Sequence, residues 1–248
     1  MSYAFVIGNG ESRRIYNLNN LRGGKGTIYG CNAIYRDHPK LCDKIIAVNS
    51  EMYDELIEAR DMGMIPAHIK IIGVEQLPQW DYTIPKDEQD EGRYWAGGGW
   101  GKEGKKAKNL DFSKTKGSGC SAVWQACFDD HKDIFIIAFD MIGGKQWAIR
   151  DGSMSREQNN IYKDSRNYPT RKSMKAYLKY EWRWQLRQLA KRFKDKNFYY
   201  INRIEVNESN FILHSATTLL ENFKYGTYGD LKKVMDGMPL TSIRWKRY

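Results

Sequence analysis

The chain has 248 residues, of which 41% are hydrophobic and 28% charged, and its 40 lysines and arginines against 30 aspartates and glutamates give a formal net charge of +10. That balance suits a globular protein with a sizeable core, and no run approaches the ~18 apolar residues of a membrane span. The basic excess leaves two readings open: a polyanionic partner such as nucleic acid, a phosphorylated glycan or an acidic membrane surface, or a basic protein with no such partner.

In chain order, residues 1–8 read as a first strand whose apolar run Phe5-Val6-Ile7 feeds the turn Gly8-Asn9-Gly10. The third glycine of a dinucleotide fingerprint is missing, since Arg13 stands at that position. Ser12-Arg13-Arg14 opens a short turn or helix. Its free backbone N–H groups suit an anion, and Arg13 and Arg14 are either phosphate partners or solvated surface arginines. A strand over Thr27–Gly30 leads to Cys31-Asn32, with Arg36 and Asp37 expected to pair at its exit. A third strand is expected over Leu41–Val48. A helix over Glu51–Met62 should bury Met52, Leu56 and Ala59, with Asn49 or Ser50 as its cap, and a fourth strand follows at Ile69–Ile72.

This alternation predicts an α/β fold: a Rossmann-like, open, mostly parallel sheet flanked by helices, with irregular insertions in a single domain over residues 1–248. Asn9, Asn32 and Asn49 then each stand near a strand end, where open α/β sheets bind ligands. An amide side chain satisfies both donors and acceptors of a ribose or a pyrimidine edge.

Residues 76–116 break the rhythm with Trp95, Gly97 to Gly99, Trp100 and a lysine-rich run. A lid over a ligand, a surface on which bases or sugars stack, and an insertion packed on its own domain are the open readings. Gly117-Ser118-Gly119 precedes a helix expected over Ala122–Asp129, and small residues there let backbone and hydroxyls reach a nucleotide. Ile134–Phe139 is a buried strand. Asp140 at its end is either a catalytic or sugar-binding carboxylate or a structural cap.

Residues 143–172 form a polar excursion that holds Asp151, Tyr162, Asp164 and Tyr168. An amphipathic helix over Ser173–Lys194, with Trp182 on its apolar side and a basic set beside it, and a strand over Phe198–Asn202 follow. His214 reads as a surface or cap residue, and the basic, aromatic end Ile243–Tyr248 either binds nucleic acid or docks on the domain. Cys31, Cys42, Cys120 and Cys127 show no Cys-x-x-Cys pair, so buried thiols and no zinc are expected. With no basic-then-apolar leader, the expected location is cytoplasmic.

Gly8-Asn9-Gly10-x-Ser12, Cys31-Asn32-x-x-Tyr35-x-Asp37, Asn49, Gly117-Ser118-Gly119 and Ile136-Ile137-Ala138-Phe139-Asp140 occur in the order seen in bacterial sialyltransferases that use CMP-sialic acid. Over about its first 140 residues the chain resembles that family. The resemblance implies one Rossmann-like domain, a nucleotide-sugar donor and neither metal nor other cofactor. It sets Ser118 and Gly119 on the cytidine side of the crevice. That family also uses tyrosines against the leaving phosphate and a histidine base. Here the positions nearest those tyrosines are Ile142 and Trp147, and no histidine lies between His131 and His214. Asp140, Asp151 and Asp164 are left as candidate bases, and Tyr162 and Tyr168 as phenols able to donate to a departing phosphate.

The expected function is a metal-independent glycosyltransferase with a pyrimidine-linked, CMP-type donor. Gly8, Asn9, Gly10, Ser12, Arg13, Asn32, Asn49, Gly117, Ser118 and Gly119 are its candidate donor-binding residues. The acceptor is a hydroxyl on a modified DNA base or on a surface glycan. A non-catalytic nucleic-acid-binding protein on a degenerate transferase fold is the alternative.

Overall fold

The structure, a computed structural model, describes residues 3–23, 26–78, 117–140, 160–162, 165–168, 185–202 and 220–247. Seven strands form one sheet: β1 (Tyr3–Ile7), β2 (Gly26–Cys31), β3 (Lys44–Ile46), β4 (Lys70–Ile72), β5 (Asp133–Ile137), β6 (Asn197–Asn202) and β7 (Phe223–Thr227). Their order is β4-β3-β2-β1-β5-β6-β7 and every pair is parallel, so the fold is the expected Rossmann-like α/β class.

The central strands read as unbroken apolar runs because both faces of the sheet are covered. Val6, Tyr29, Ile134, Ile136, Phe198 and Tyr200 pack on one face against helix α2 (Ser118–Phe128) and the helical stretch 185–192, labelled α3. Phe5, Ile7, Ile28, Ile45, Phe135 and Ile137 pack on the other face under α1 (Ser50–Asp61) and α4 (Tyr228–Met235). A stacked ladder runs across this second face, with Phe5 to Phe135 at 5.4 Å and Phe135 to Tyr199 at 4.9 Å between ring centroids.

Several boundaries differ from the sequence expectation. The third strand contracts to Lys44–Ile46, because Leu41 and Cys42 pack in the core from the loop before it. Helix α2 starts at Ser118 rather than Ala122: Gly117 takes the cap position, and Ser118 and Gly119 form the first turn. Strand β7 and helix α4 are additional to the elements expected. Their readable signals were the alternation in Phe223-Lys224-Tyr225 and the box Thr227-x-x-Asp230. In that box the Thr227 hydroxyl accepts from the Asp230 N–H while the Asp230 carboxylate accepts from Thr227.

The C-terminal aromatic docks. Trp245 packs 4.5 Å from the Tyr199 ring and donates its indole N–H to the Leu240 carbonyl, and Lys246 bridges to Tyr225 on the edge strand. The insertion beyond Pro78, Trp182 and His214 lie outside the described residues. Among those described, no helix is long and apolar enough to cross a membrane. All four cysteines are free and buried, and burial pushes each thiol up.

Burial also raises Tyr29, Tyr162, Tyr199 and Tyr228 above the ordinary phenol value near 10. The folded state therefore holds thiol and phenol protons that the unfolded chain gives up above their ordinary values of 9.0 and 10.0. Stability is expected to begin falling near pH 9, as the unfolded thiols ionise, and to fall more steeply above 10, where the phenols follow. Urea midpoints compared with tyrosinate absorbance across that range check this; a flat stability curve through the phenol titration would contradict it.

Candidate functional site

The strand order reverses between β1 and β5, because β1 leads outward through β2 while β5 leads outward through β6. In open α/β sheets the ligand crevice lies beyond the strand ends at such a reversal. Here those ends are Gly8-Asn9-Gly10 after β1, Asn32 after β2 and Ala138-Phe139-Asp140 after β5.

The Gly-x-Gly turn is spent inside the protein. Gly8 N–H donates to the Ile137 carbonyl at 2.8 Å and Gly10 N–H to the Ala138 carbonyl at 3.0 Å. A Cβ on Gly10 would lie 2.4 Å from the Asp140 carboxyl carbon and 2.6 Å from the Ala138 oxygen, so only glycine lets the two turns approach. The Ser12 N–H, expected to face an external anion, donates to the Asp140 carboxylate at 2.7 Å. Asp140 thus caps the 3-10 turn Glu11–Ile15. The Ser12 hydroxyl meets the Tyr228 hydroxyl at 3.1 Å in a buried contact.

Arg13 is 2% exposed and its guanidinium is committed. It donates to the Gly8 carbonyl (3.0 Å), Asn9 Oδ1 (3.2 Å), Asp37 (3.1 Å) and the Tyr162 hydroxyl (2.6 Å). Tyr162 donates in turn to Asp37 at 3.0 Å. The expected Arg36–Asp37 pair is therefore replaced. Asp37 serves Arg13, and Arg36 donates through Nε and a terminal nitrogen to Glu55. Arg14 is exposed.

Glu55, 3% exposed, was missed. Its signal was an acid beside Met52, Leu56 and Ala59 on the buried stripe of α1. Glu55 also accepts from the Tyr35 hydroxyl at 2.7 Å and from Asn167 at 2.6 Å. Arg36 donates to the Ser165 hydroxyl at 2.6 Å and the Arg166 carbonyl at 2.8 Å, and the Asn9 carbonyl accepts from Ile161 N–H at 2.9 Å. Residues 160–162 and 165–168 are thereby stapled onto the ends of β1 and β2.

Within this frame the Arg13 contact settles which way the Asn9 amide points. A guanidinium only donates, so Oδ1 faces Arg13 and Nδ2 faces the acceptors, the Cys31 carbonyl at 3.0 Å and the Tyr168 hydroxyl at 3.3 Å. Burial pushes the Tyr168 hydroxyl up to about 12, and the polar groups near it, the side chains of Asn32 and Asn9 and the Ala33 backbone, offset only part of that. Asn32 Oδ1 is buried and has no hydrogen-bond partner.

Asn32 and Ala138 both hold left-handed backbone, at φ 51° and 57°. Such strain costs about 1 kcal/mol or more per residue and concentrates at functional sites. Ser118 is buried at the start of α2 and accepts from Val48 N–H at 3.2 Å, next to Asn49. Asn49 is exposed at the α1 cap position and makes no side-chain cap bond. A Cβ on Gly119 would lie 2.7 Å from the Phe139 ring, which joins the start of α2 to the β5 turn.

Asn9 is thus in direct contact with Tyr168, Ser12 with Asp140, and Arg13 with Tyr162. Asp151 and Asp164 lie outside the described residues. Among the described residues no group of three or more His, Cys, Asp or Glu side chains could hold a metal ion. No protein-family model, curated protein or solved structure matches the chain.

Arg13→Met keeps the aliphatic stem and removes every donor, stranding Asp37, Tyr162 and Asn9 Oδ1. The expected loss is about 2–3 kcal/mol of stability, tempered by the partial exposure of Asp37 (42%). Urea unfolding measures it. A change of a few tenths would mean that this arginine is dispensable to the fold.

Proposed function

We propose that the chain is a glycosyltransferase that moves a sugar from a pyrimidine-nucleotide donor, CMP-type by its motif order, to a hydroxyl on a polyanionic acceptor, with a modified base in DNA favoured. The observation that carries this reading is the buried, unpartnered amide oxygen of Asn32, set on a left-handed residue next to Asn9 at the strand reversal. A fold leaves a buried acceptor unmet at a cost of about 1–3 kcal/mol, and a ligand hydroxyl or amine that fills it recovers that cost.

In the reaction the bond from the sugar's anomeric carbon to the donor phosphate breaks and a bond to the acceptor oxygen forms. The departing nucleotide carries the negative charge, which amide donors at Asn9 and Asn32 are suited to stabilise. The acceptor's proton needs a base. Asp140 is the carboxylate at the strand reversal, held by the Ser12 N–H, and is assigned that role.

Support for a polyanionic acceptor comes from the charge distribution. Residues 145–194 hold fourteen lysines and arginines against four aspartates and glutamates, an excess equal to that of the whole chain. The stapled residues 160–162 and 165–168 belong to this stretch, so its middle is anchored beside the crevice.

Thermal shift and calorimetry with a panel of pyrimidine and purine nucleotides test the reading. One pyrimidine nucleotide should stabilise the protein, and Asn32→Ala should weaken its binding about tenfold with little change in the unfolding midpoint. No stabilisation by any nucleotide, together with steeply salt-dependent DNA binding, would favour the non-catalytic nucleic-acid-binding protein instead.

A further inference from the structure

We propose that Lys224 and Arg247 form a contact site for the phosphodiester backbone of a nucleic acid, at the end of the sheet opposite the crevice. The site stands whether or not the crevice holds a nucleotide donor. It starts from the pairing of residues 243–247 with edge strand β7. Tyr225 and Lys246 exchange both backbone bonds, at 2.9 and 3.0 Å, in an antiparallel bridge. That register sets Trp245 opposite Gly226 and Arg247 opposite Lys224. The first pairing is visible directly, since a Cβ on Gly226 would lie 2.4 Å from the Trp245 ring. Trp245 turns inward onto Tyr199 and Phe135, and the arginines that flank it, Arg244 and Arg247, are exposed. Docking and anion binding are therefore compatible roles for this basic, aromatic segment: the tryptophan docks, and that presents the cations.

Like charges directly opposite one another destabilise an antiparallel pair, and this pair is not compensated. Lys224 lies 4.9 Å over the Tyr199 ring and donates to Asn197 Oδ1 at 3.0 Å and to the Tyr199 hydroxyl at 3.4 Å, both neutral. Asp133, 5% exposed, is satisfied from the other side: its Oδ1 accepts from Asn197 Nδ2 at 2.9 Å and from the Tyr199 hydroxyl at 3.3 Å. Asn197 and Tyr199 thus stand between the ammonium and the carboxylate. Among the described residues neither Lys224 nor Arg247 pairs with an acid, whereas Lys196, Lys232 and Lys233 all do. Burial, and then the charge of Arg247, hold the Lys224 ammonium below the ordinary lysine value. The ammonium keeps a third donor and the guanidinium its full fork, a set that phosphate oxygens take. Asp133 and Asn197 open β5 and β6, and Lys224 is the second residue of β7, so the site lies at the amino-terminal end of the strands. Arg244 continues it along the sheet edge, which suits a chain of phosphates better than a single one. An acidic membrane would also call for an apolar face, and here Ile243 is buried and Trp245 packs inward.

The test measures binding of a short mixed-sequence DNA duplex by fluorescence anisotropy across a salt series, with the full-length wild type, Lys224→Gln, Arg247→Gln, Arg247→Lys and Lys232→Gln. Lys232 is exposed and paired with Asp236 on α4, so its variant removes the same unit of charge outside the proposed contact. Lys224→Gln and Arg247→Gln should each weaken binding about fivefold at low salt and lower the slope of log affinity against log salt by about 0.9. Arg247→Lys and Lys232→Gln should keep the wild-type slope. Arg247 is exposed, so its variant carries the test should Lys224→Gln fail to fold. Equal slopes in wild type and Arg247→Gln overturn the proposal. An equal loss in Lys232→Gln overturns it too, by tracing the effect to net charge. Binding to vesicles of phosphatidylcholine and phosphatidylserine without binding to the duplex overturns it in favour of a membrane partner. Arg247→Gln should retain any thermal shift that a pyrimidine nucleotide gives the wild type; loss of that shift overturns the separation of this site from the crevice, so each reading can fail alone.

Discussion

The carboxyl end of this sheet depends on one buried cation. Arg13 carries a charge that cannot be set aside in a protein interior, since its guanidinium does not lose its proton and each donor needs an acceptor. Those acceptors come from three separate segments: the β1 turn through Gly8 and Asn9, the exit of β2 through Asp37, and the distal segment through Tyr162. Meeting that demand does more than hold the segments together. It orients the Asn9 amide, which fixes the donor edge that Asn9 turns toward Cys31 and Tyr168. The polarity of the candidate site is therefore set from behind, by a residue with no need to touch a ligand.

The sheet was readable because β1 and β5 are apolar at nearly every position, as strands covered on both faces must be. The asparagines were readable as strand-end residues for the same reason. The neighbours they would take were not. Asp37 sits beside Arg36 in sequence, and a local pair is the natural expectation. The structure instead joins it to Arg13, 24 residues earlier, and gives Arg36 to Glu55. Both partnerships arise from packing β2 against β1 and α1 against the turn Asn32–Arg36, and sequence separation carries no trace of that. The Gly-x-Gly turn misled for a related reason. Its glycines do permit a close approach, but the body that approaches is the protein's own β5 turn, and the anion at Ser12 is Asp140.

Asp140 shows how a structural role and a proposed chemical one can share a residue. Its bond to the Ser12 N–H closes the 3-10 turn and fixes the carboxylate at the strand reversal. A base has to be positioned before it can act, and a backbone N–H on a rigid turn positions it more firmly than a mobile side chain would. The structural role observed is toward the earlier turn Glu11–Ile15, where the carboxylate accepts from the Ser12 N–H, and not the cap of the following turn expected from sequence.

Under the proposed function, the basic segment that would meet an acceptor and the amides that would meet a donor belong to one mechanical unit. Arg36 and Glu55 fasten residues 165–168 to α1, Arg13 and Asp37 fasten Tyr162, and Tyr168 lies against Asn9. A polyanion that engages the arginines and lysines of this segment would load these ties from outside, and a donor at Asn9 would meet them from within. Under that reading the two binding events share one set of contacts, and any effect of one ligand on the other is reciprocal by thermodynamic linkage.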